Sequence, residues 1–213
     1  MSDIDAVVFD FGGVFTPSPF DAVRAVGESA GLDADQAMAF VFGAYDRDTD
    51  HPWHRAERGE LSLDDTRNQI RDQARLLGLE LDLYDVLAAM SGTAVRDDMV
   101  ERSWALKTAG HRLAMITNNV VEFREFWRAM LPLDELFDVV IDSSEVGMRK
   151  PDPRIFRLAL ESLGGIDPAR SVFLDDYPGN VVAAEAVGMH AILVETDYQP
   201  AIARLNLLVG SDG

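Results

Sequence analysis

Two hydrophobic rhythms divide the chain. The run Ala6-Val7-Val8-Phe9 is continuously apolar, ends at Asp10 and breaks into Gly12-Gly13. A short run without polar alternation, closed by turn residues, reads as a strand buried on both faces, as in a parallel sheet. Four later runs read the same way: 112–117, 138–142, 171–175 and 191–194. Between the first and second, residues 16–93 carry helical spacing and no convincing strand. Phe20, Val23, Gly27 and Ala30 share one face, and Ala37, Val41 and Tyr45 repeat the spacing. His51-Pro52-Trp53-His54 and Glu57-Arg58-Gly59-Glu60-Leu61 read as interruptions. Ser62, with Asp65 three residues on, predicts a variant capping box opening a helix with Thr66, Ile70, Ala74 and Leu77 on one face. A short helix is expected from about Leu81 to Met90.

From Val95 onward helix and strand alternate. The spacing predicts a helix to Lys107, an aromatic-rich helix ending at Met130, a helix capped by Asp152 and opened by Pro153, and helices over about 179–188 and 200–208. Such alternation predicts an α/β fold: a Rossmann-like doubly wound parallel sheet of about five strands, reached by right-handed crossovers, with helices on both faces. The core is then residues 1–15 and 94–213, with residues 16–93 an inserted all-helical cap domain. Residues 210–213 read as a frayed end.

Ligands in open α/β sheets sit at the carboxyl ends of the strands. Asp10 stands at the end of the first strand, Thr117-Asn118 at the end of the second and Asp175-Asp176 at the end of the fourth, while Lys150 follows the third. Each has a plain alternative: a turn-starting aspartate, a simple turn, a helix cap and a solvated lysine. Together, on successive ends of one sheet edge, they can converge.

The formal net charge is -18. Repulsion of that size argues against nucleic acid and anionic membranes as partners, and an anionic substrate needs a locally positive pocket. With no cysteine, disulfides and thiolate metal sites are excluded. The acidic opening Met1-Ser2-Asp3-Ile4-Asp5 is unlike a signal peptide, and no apolar run approaches a membrane span. A soluble, cytoplasmic protein is the expectation.

The ordered set of motifs resembles the haloacid dehalogenase-like (HAD) hydrolases, in the branch whose small helical cap follows the first strand. It is most similar to the glucose-1-phosphatase-like enzymes and the phosphatase domain of soluble epoxide hydrolases. Asp10 matches the family's nucleophile, Thr117 with Asn118 its hydroxyl motif, Lys150 its basic motif, and Asp175-Asp176 with Asn180 its acidic motif. Glu57-Arg58-Gly59-Glu60-Leu61-Ser62 resembles a stretch common in these caps. The family usually carries a second aspartate two residues after the nucleophile, supplying a carbonyl to Mg2+ and a proton to the leaving group. Gly12 stands there, able to keep the first role only, as in related phosphatases of this branch.

The resemblance implies Mg2+-dependent hydrolysis of a phosphomonoester through an aspartyl-phosphate on Asp10, with a small phosphorylated metabolite, first of all a sugar phosphate, as substrate. It implies Mg2+ on Asp10, the Gly12 carbonyl, Asp175 and Asp176, with Asn180 orienting that shell. Thr117, Asn118 and Lys150 bind the phosphate, and Lys150 supplies the positive charge. Trp53, His54 and Arg58 are the cap residues expected to read the leaving group, each with a structural alternative as cap core or helix-end ion pair. Two rivals stand beside this reading: a metal-independent 2-haloacid dehalogenase, and a binding protein on a weakened HAD fold.

Overall fold

The computed structural model describes residues 4–89 and 94–210. The expected boundary at 93/94, the end of the helix near Met90 and residues 211–213 of the expected frayed end lie outside the described residues.

Strands β1 (Ala6–Phe9), β2 (Arg112–Thr117), β3 (Val139–Asp142), β4 (Ser171–Asp175) and β5 (His190–Leu193) form one sheet in the order β3-β2-β1-β4-β5. Every pairing is parallel. The first strand is therefore the central one. Its unbroken apolar sequence follows from cover on both faces. Val7 and Phe9 pack with Met99, Leu106 and Leu205 on one side, and Ala6 and Val8 with Ile155, Phe156 and Ala184 on the other. Helices Asp97–Thr108 and Gln199–Val209 supply the first layer, Pro153–Ser162 and Pro178–Val187 the second.

Between β1 and β2 the chain forms the helices Pro19–Ser29, Ala34–Val41, Pro52–Glu57, Leu63–Leu76 and Leu83–Ala89. These hold a hydrophobic cluster of their own, including Phe20, Val41, Phe42, Trp53, Ile70 and Val86. Ser62 caps Leu63–Leu76 by accepting from the Asp65 N–H at 3.1 Å, and Asp152 caps Pro153–Ser162 by accepting from Arg154 at 2.8 Å.

Three elements differ from the expectation. His51-Pro52 starts a helix instead of interrupting one. Proline suits the first helical position because its missing N–H has no partner there, and the His51 ring accepts from the Trp53 N–H at 3.2 Å. The helix expected through Tyr45 stops at Val41, ahead of Gly43 at φ +77°, which releases Tyr45 toward the sheet. The aromatic-rich helix is a 3-10 turn, Val121–Phe123, followed by Arg124–Arg128. Over so few residues, periods of 3.0 and 3.6 place the same side chains inward.

Candidate active site

Asp10 leaves the sheet beside Asp175. The Asp10 N–H donates to the Leu174 carbonyl at 2.8 Å, and its Oδ1 accepts from Phe11 N–H at 2.7 Å. Lys150 reaches in from the loop after β3 and places Nζ 2.7 Å from Asp10 Oδ1 and 2.7 Å from Asp175 Oδ2. Asn180, in the first turn of Pro178–Val187, donates Nδ2 to both Asp175 oxygens at 3.1 Å, and the Tyr177 N–H donates to Oδ1 at 2.8 Å. Asp176 turns the other way and accepts from the Ser18 hydroxyl at 2.5 Å. Asp10, Asp175 and Asp176 each bring a carboxylate oxygen into one group whose members lie within 4.8 Å of one another.

The charges in this group are strongly coupled. Burial lifts the Asp10 carboxyl to about 7; Lys150 pulls it down and Asp175 pushes it up. Burial also holds Asp176 well above the usual carboxylate range, with Asp175 and Asp10 adding to the effect. Burial alone would lower Lys150, but Asp10 and Asp175 outweigh it and keep the ammonium above its ordinary value. The cluster is short of positive charge.

The Gly12-Gly13 pair divides its work. A Cβ on Gly12 would meet nothing closer than Pro19 Cδ at 3.6 Å, an ordinary contact. Gly13 has φ +72°, and a Cβ there would sit 2.1 Å from the Asp176 carboxylate. The second glycine leaves the space that Asp176 fills. Arg96 fixes the same turn, donating to the Gly13 carbonyl at 2.7 Å.

Thr117 is buried at the end of β2, in register with Asp142. The Asn118 side chain clamps the backbone of Lys150, donating to its carbonyl at 2.9 Å and accepting from its N–H at 2.8 Å. That positioning was not visible from residue types. Nor was the link from the helical segment: buried Glu57 accepts from Arg149 Nε at 2.6 Å through one oxygen, and from Tyr45 O–H at 2.7 Å and Trp53 Nε1 at 2.8 Å through the other. The nearest signal was the Glu57–Ser62 stretch itself and the arginine beside Lys150.

A cavity of about 500 Å3 opens on Asp10, Gly12, Thr117, Asn118, Asp176 and Asn180. Of the three residues expected to read a leaving group, Trp53 lines it; His54 and Arg58 do not. His54 is fully buried, accepts from the Thr49 N–H at 3.0 Å, and burial, aided by Arg149, lowers its imidazole to about 3. Arg58 is held by Glu60, Asp48 and the Thr49 carbonyl.

A family model described as haloacid dehalogenase-like hydrolase matches residues 4–188. The chain belongs to that family. Among its relatives is a sesquiterpene phosphatase of Aspergillus oryzae, 30% identical over 210 residues, with 96% of each chain covered. Bifunctional epoxide hydrolase 2 of Rattus norvegicus is 28% identical over 95% of this chain. The chain spans only 38% of that relative's length. Of solved structures, the L-2-haloacid dehalogenase of Xanthobacter autotrophicus superposes with a TM-score of 0.60 at 26% identity, covering 98% of this chain and 84% of that one. The family and fold are thus shared by proteins named as phosphatases and as dehalogenases. No helix among the described residues is long and apolar enough to cross a membrane.

Proposed function

We propose that this HAD-like hydrolase is a Mg2+-dependent phosphomonoesterase working through an aspartyl-phosphate on Asp10, with residues 16–93 as a cap over a core of residues 1–15 and 94–213. The observation that carries the reading is the convergence of Asp10, Asp175 and Asp176 in one group, with Lys150 paired to the first two. Burial raises the Asp10 and Asp176 carboxyls, with neighbouring carboxylates adding to it, so a bound cation would favour their ionised forms. An all-oxygen donor set suits a hard divalent ion. Asp10, Asp175, Asp176 and the Gly12 carbonyl would hold Mg2+, with Asn180 fixing the orientation of Asp175. When bound, Mg2+ offsets the repulsion between a carboxylate nucleophile and an anionic phosphoryl group.

The chain's own residues do the rest. An Asp10 oxygen attacks phosphorus as the ester P–O bond breaks, and the alcohol oxygen leaves with the bonding pair. Lys150 holds that carboxylate in line and supplies a fixed positive charge. The Thr117 hydroxyl and the Asn118 backbone N–H are the donors for phosphoryl oxygens. With glycine at position 12, the departing oxygen takes its proton from water. Water then attacks the phosphorylated Asp10, releasing phosphate and restoring the carboxylate. Trp53 is the cap residue we assign to the leaving group; His54 and Arg58 hold the cap's own shape. A metal-free dehalogenase would have no task for Asp176, which is why the phosphatase reading is preferred.

Release of phosphate from p-nitrophenyl phosphate is expected with Mg2+ and not with EDTA. Asp10→Asn is expected to remove turnover by orders of magnitude with an unchanged circular dichroism spectrum. Chloride release from 2-chloropropionate in EDTA, with no phosphatase activity, would overturn the assignment.

A further inference from the structure

We infer that the leaving group of this site is an apolar alcohol, so that the substrate is the monophosphate ester of a hydrocarbon-chain alcohol and not the sugar phosphate first expected. The inference rests on the phosphatase reading above and goes on from the walls of the cavity at Asp10.

Those walls offer carbon. Phe11, immediately after the nucleophile, stacks on Trp127 with ring centroids 5.3 Å apart. Leu87, Phe123, Phe126 and Met130 continue the surface away from Asp10. The aromatic-rich stretch ending at Met130, which the catalytic scheme does not use, is this wall. Phe126 remains 66% exposed, an uncovered apolar ring at a site otherwise built for an anion.

Most of the side-chain polar atoms in the walls are already committed, and Asn180 Oδ1 and the Thr117 hydroxyl, which are not, lie at the Asp10 end that receives the phosphate. Tyr45 O–H and Trp53 Nε1 both donate to Glu57, and Trp127 Nε1 donates to buried Asp142 at 3.1 Å. The Ser18 hydroxyl donates to Asp176 and the Thr16 hydroxyl to the Pro17 carbonyl at 3.2 Å. Sugar hydroxyls entering here would give up water for few free donors, which is unfavourable. Charge points the same way. The Asp, Glu, Lys, Arg and His residues among the described lining are Asp10, Asp21, Glu57 and Asp176, all acidic. A leaving group carrying a carboxylate or a second phosphate finds no cation there. A second cavity of about 530 Å3, with Arg24 and Thr196 in its wall, shares Ser18, Phe20, Asp21, Tyr45 and Asp176 with the first but does not reach Asp10, and Arg24 is already paired with Asp21.

The test holds leaving-group chemistry constant. Butyl phosphate, octyl phosphate, glycerol 3-phosphate and phosphoglycolate are all esters of primary alcohols and are compared with Mg2+ below any micelle threshold, with p-nitrophenyl phosphate as the reference. Each fully buried methylene is worth at most about fourfold. The expected result is a kcat/KM for octyl phosphate at least tenfold above butyl phosphate, with glycerol 3-phosphate and phosphoglycolate below both. Phe126→Glu, on a largely exposed side chain, should cut the octyl-to-butyl ratio at least threefold, and Phe126→Leu should keep it. An octyl-to-butyl ratio near one, a faster glycerol 3-phosphate, or a ratio untouched by Phe126→Glu would each overturn the apolar leaving group while leaving the phosphatase standing. No phosphate from any ester, p-nitrophenyl phosphate included, would overturn both.

Discussion

Arg149 Nε lies 2.6 Å from Glu57 Oε2, and both side chains are closed to solvent. The pair joins the helical segment to the residue before Lys150, so it ties the helices between β1 and β2 to the loop that carries Lys150. Removing one partner of such a buried pair costs about 3–5 kcal/mol, because the other charge is left uncompensated. Glu57→Gln is expected to lower Tm by roughly 6–20 °C for a chain of this size. Replacing both, as Glu57→Leu with Arg149→Met, removes the unpaired charge but leaves the Tyr45 O–H and Trp53 Nε1 donors without their acceptor, so only part of the loss should return in urea melts. A Tm within a degree of the parent for Glu57→Gln would show that the pair adds nothing to stability.

Lys150 touches both Asp10 and Asp175. Lys150→Ala should reduce kcat/KM by about a hundredfold, near 3 kcal/mol of transition-state stabilisation. An unchanged kcat/KM would reduce Lys150 to a structural ion pair.

The two glycines after Asp10 should respond differently. Gly12 has room for a side chain, so Gly12→Asp is expected to fold and to supply the proton that the leaving oxygen lacks. General acid help is worth about 10^2 to 10^4 in rate, and more to a poor leaving group. Phenyl and benzyl phosphate are near in size but differ in leaving-group basicity. The parent should favour phenyl phosphate strongly in kcat/KM, and Gly12→Asp should narrow that gap. Equal rates in the parent would mean another group already donates the proton. Gly13→Ala, by contrast, should displace Asp176 and abolish any response to Mg2+.

Metal removal carries a pH signature. Burial raises Asp10 to about 7 from the usual carboxylate value near 4 of an unfolded chain. Between those values the folded chain holds a proton that the unfolded chain has released. Without a cation, the fold therefore has this stability at the acid end and loses it as pH rises toward 7. A bound divalent ion takes over the role of the proton. Mg2+ should raise Tm by several degrees at pH 8 and by much less at pH 5. Equal shifts at both pH values, or none, would contradict a metal site on these carboxylates.

What the sequence revealed follows from the range of the forces involved. Strands β1, β2 and β4 announce themselves because burial on both faces demands unbroken apolar runs. Their ends then place Asp10, Thr117 and Asp175 on one edge. Caps such as Ser62 and Asp152 are legible because their bonds span only two or three residues. The Glu57–Arg149 pair and the Asn118 clamp on Lys150 connect residues far apart in the chain, and no local pattern requires them. The spacing continues through Tyr45, but one glycine, Gly43, outweighs it. His54 and Arg58 are chemically capable types; burial and competing partners decide what such side chains do, and neither is written in the spacing.

The place of β1 in the sheet also bears on how the molecule is made. Ala6 pairs with Arg112 on one side and Ser171 on the other. β1 precedes both of its neighbours in the chain, so its two edges stay unpaired until the helical segment, β2 and then β4 have followed it. Its apolar residues must wait through that interval, while the local contacts of the helical segment can close early because short loops are cheap to close. The helices between β1 and β2 can thus form while the central strand of the sheet still lacks both partners.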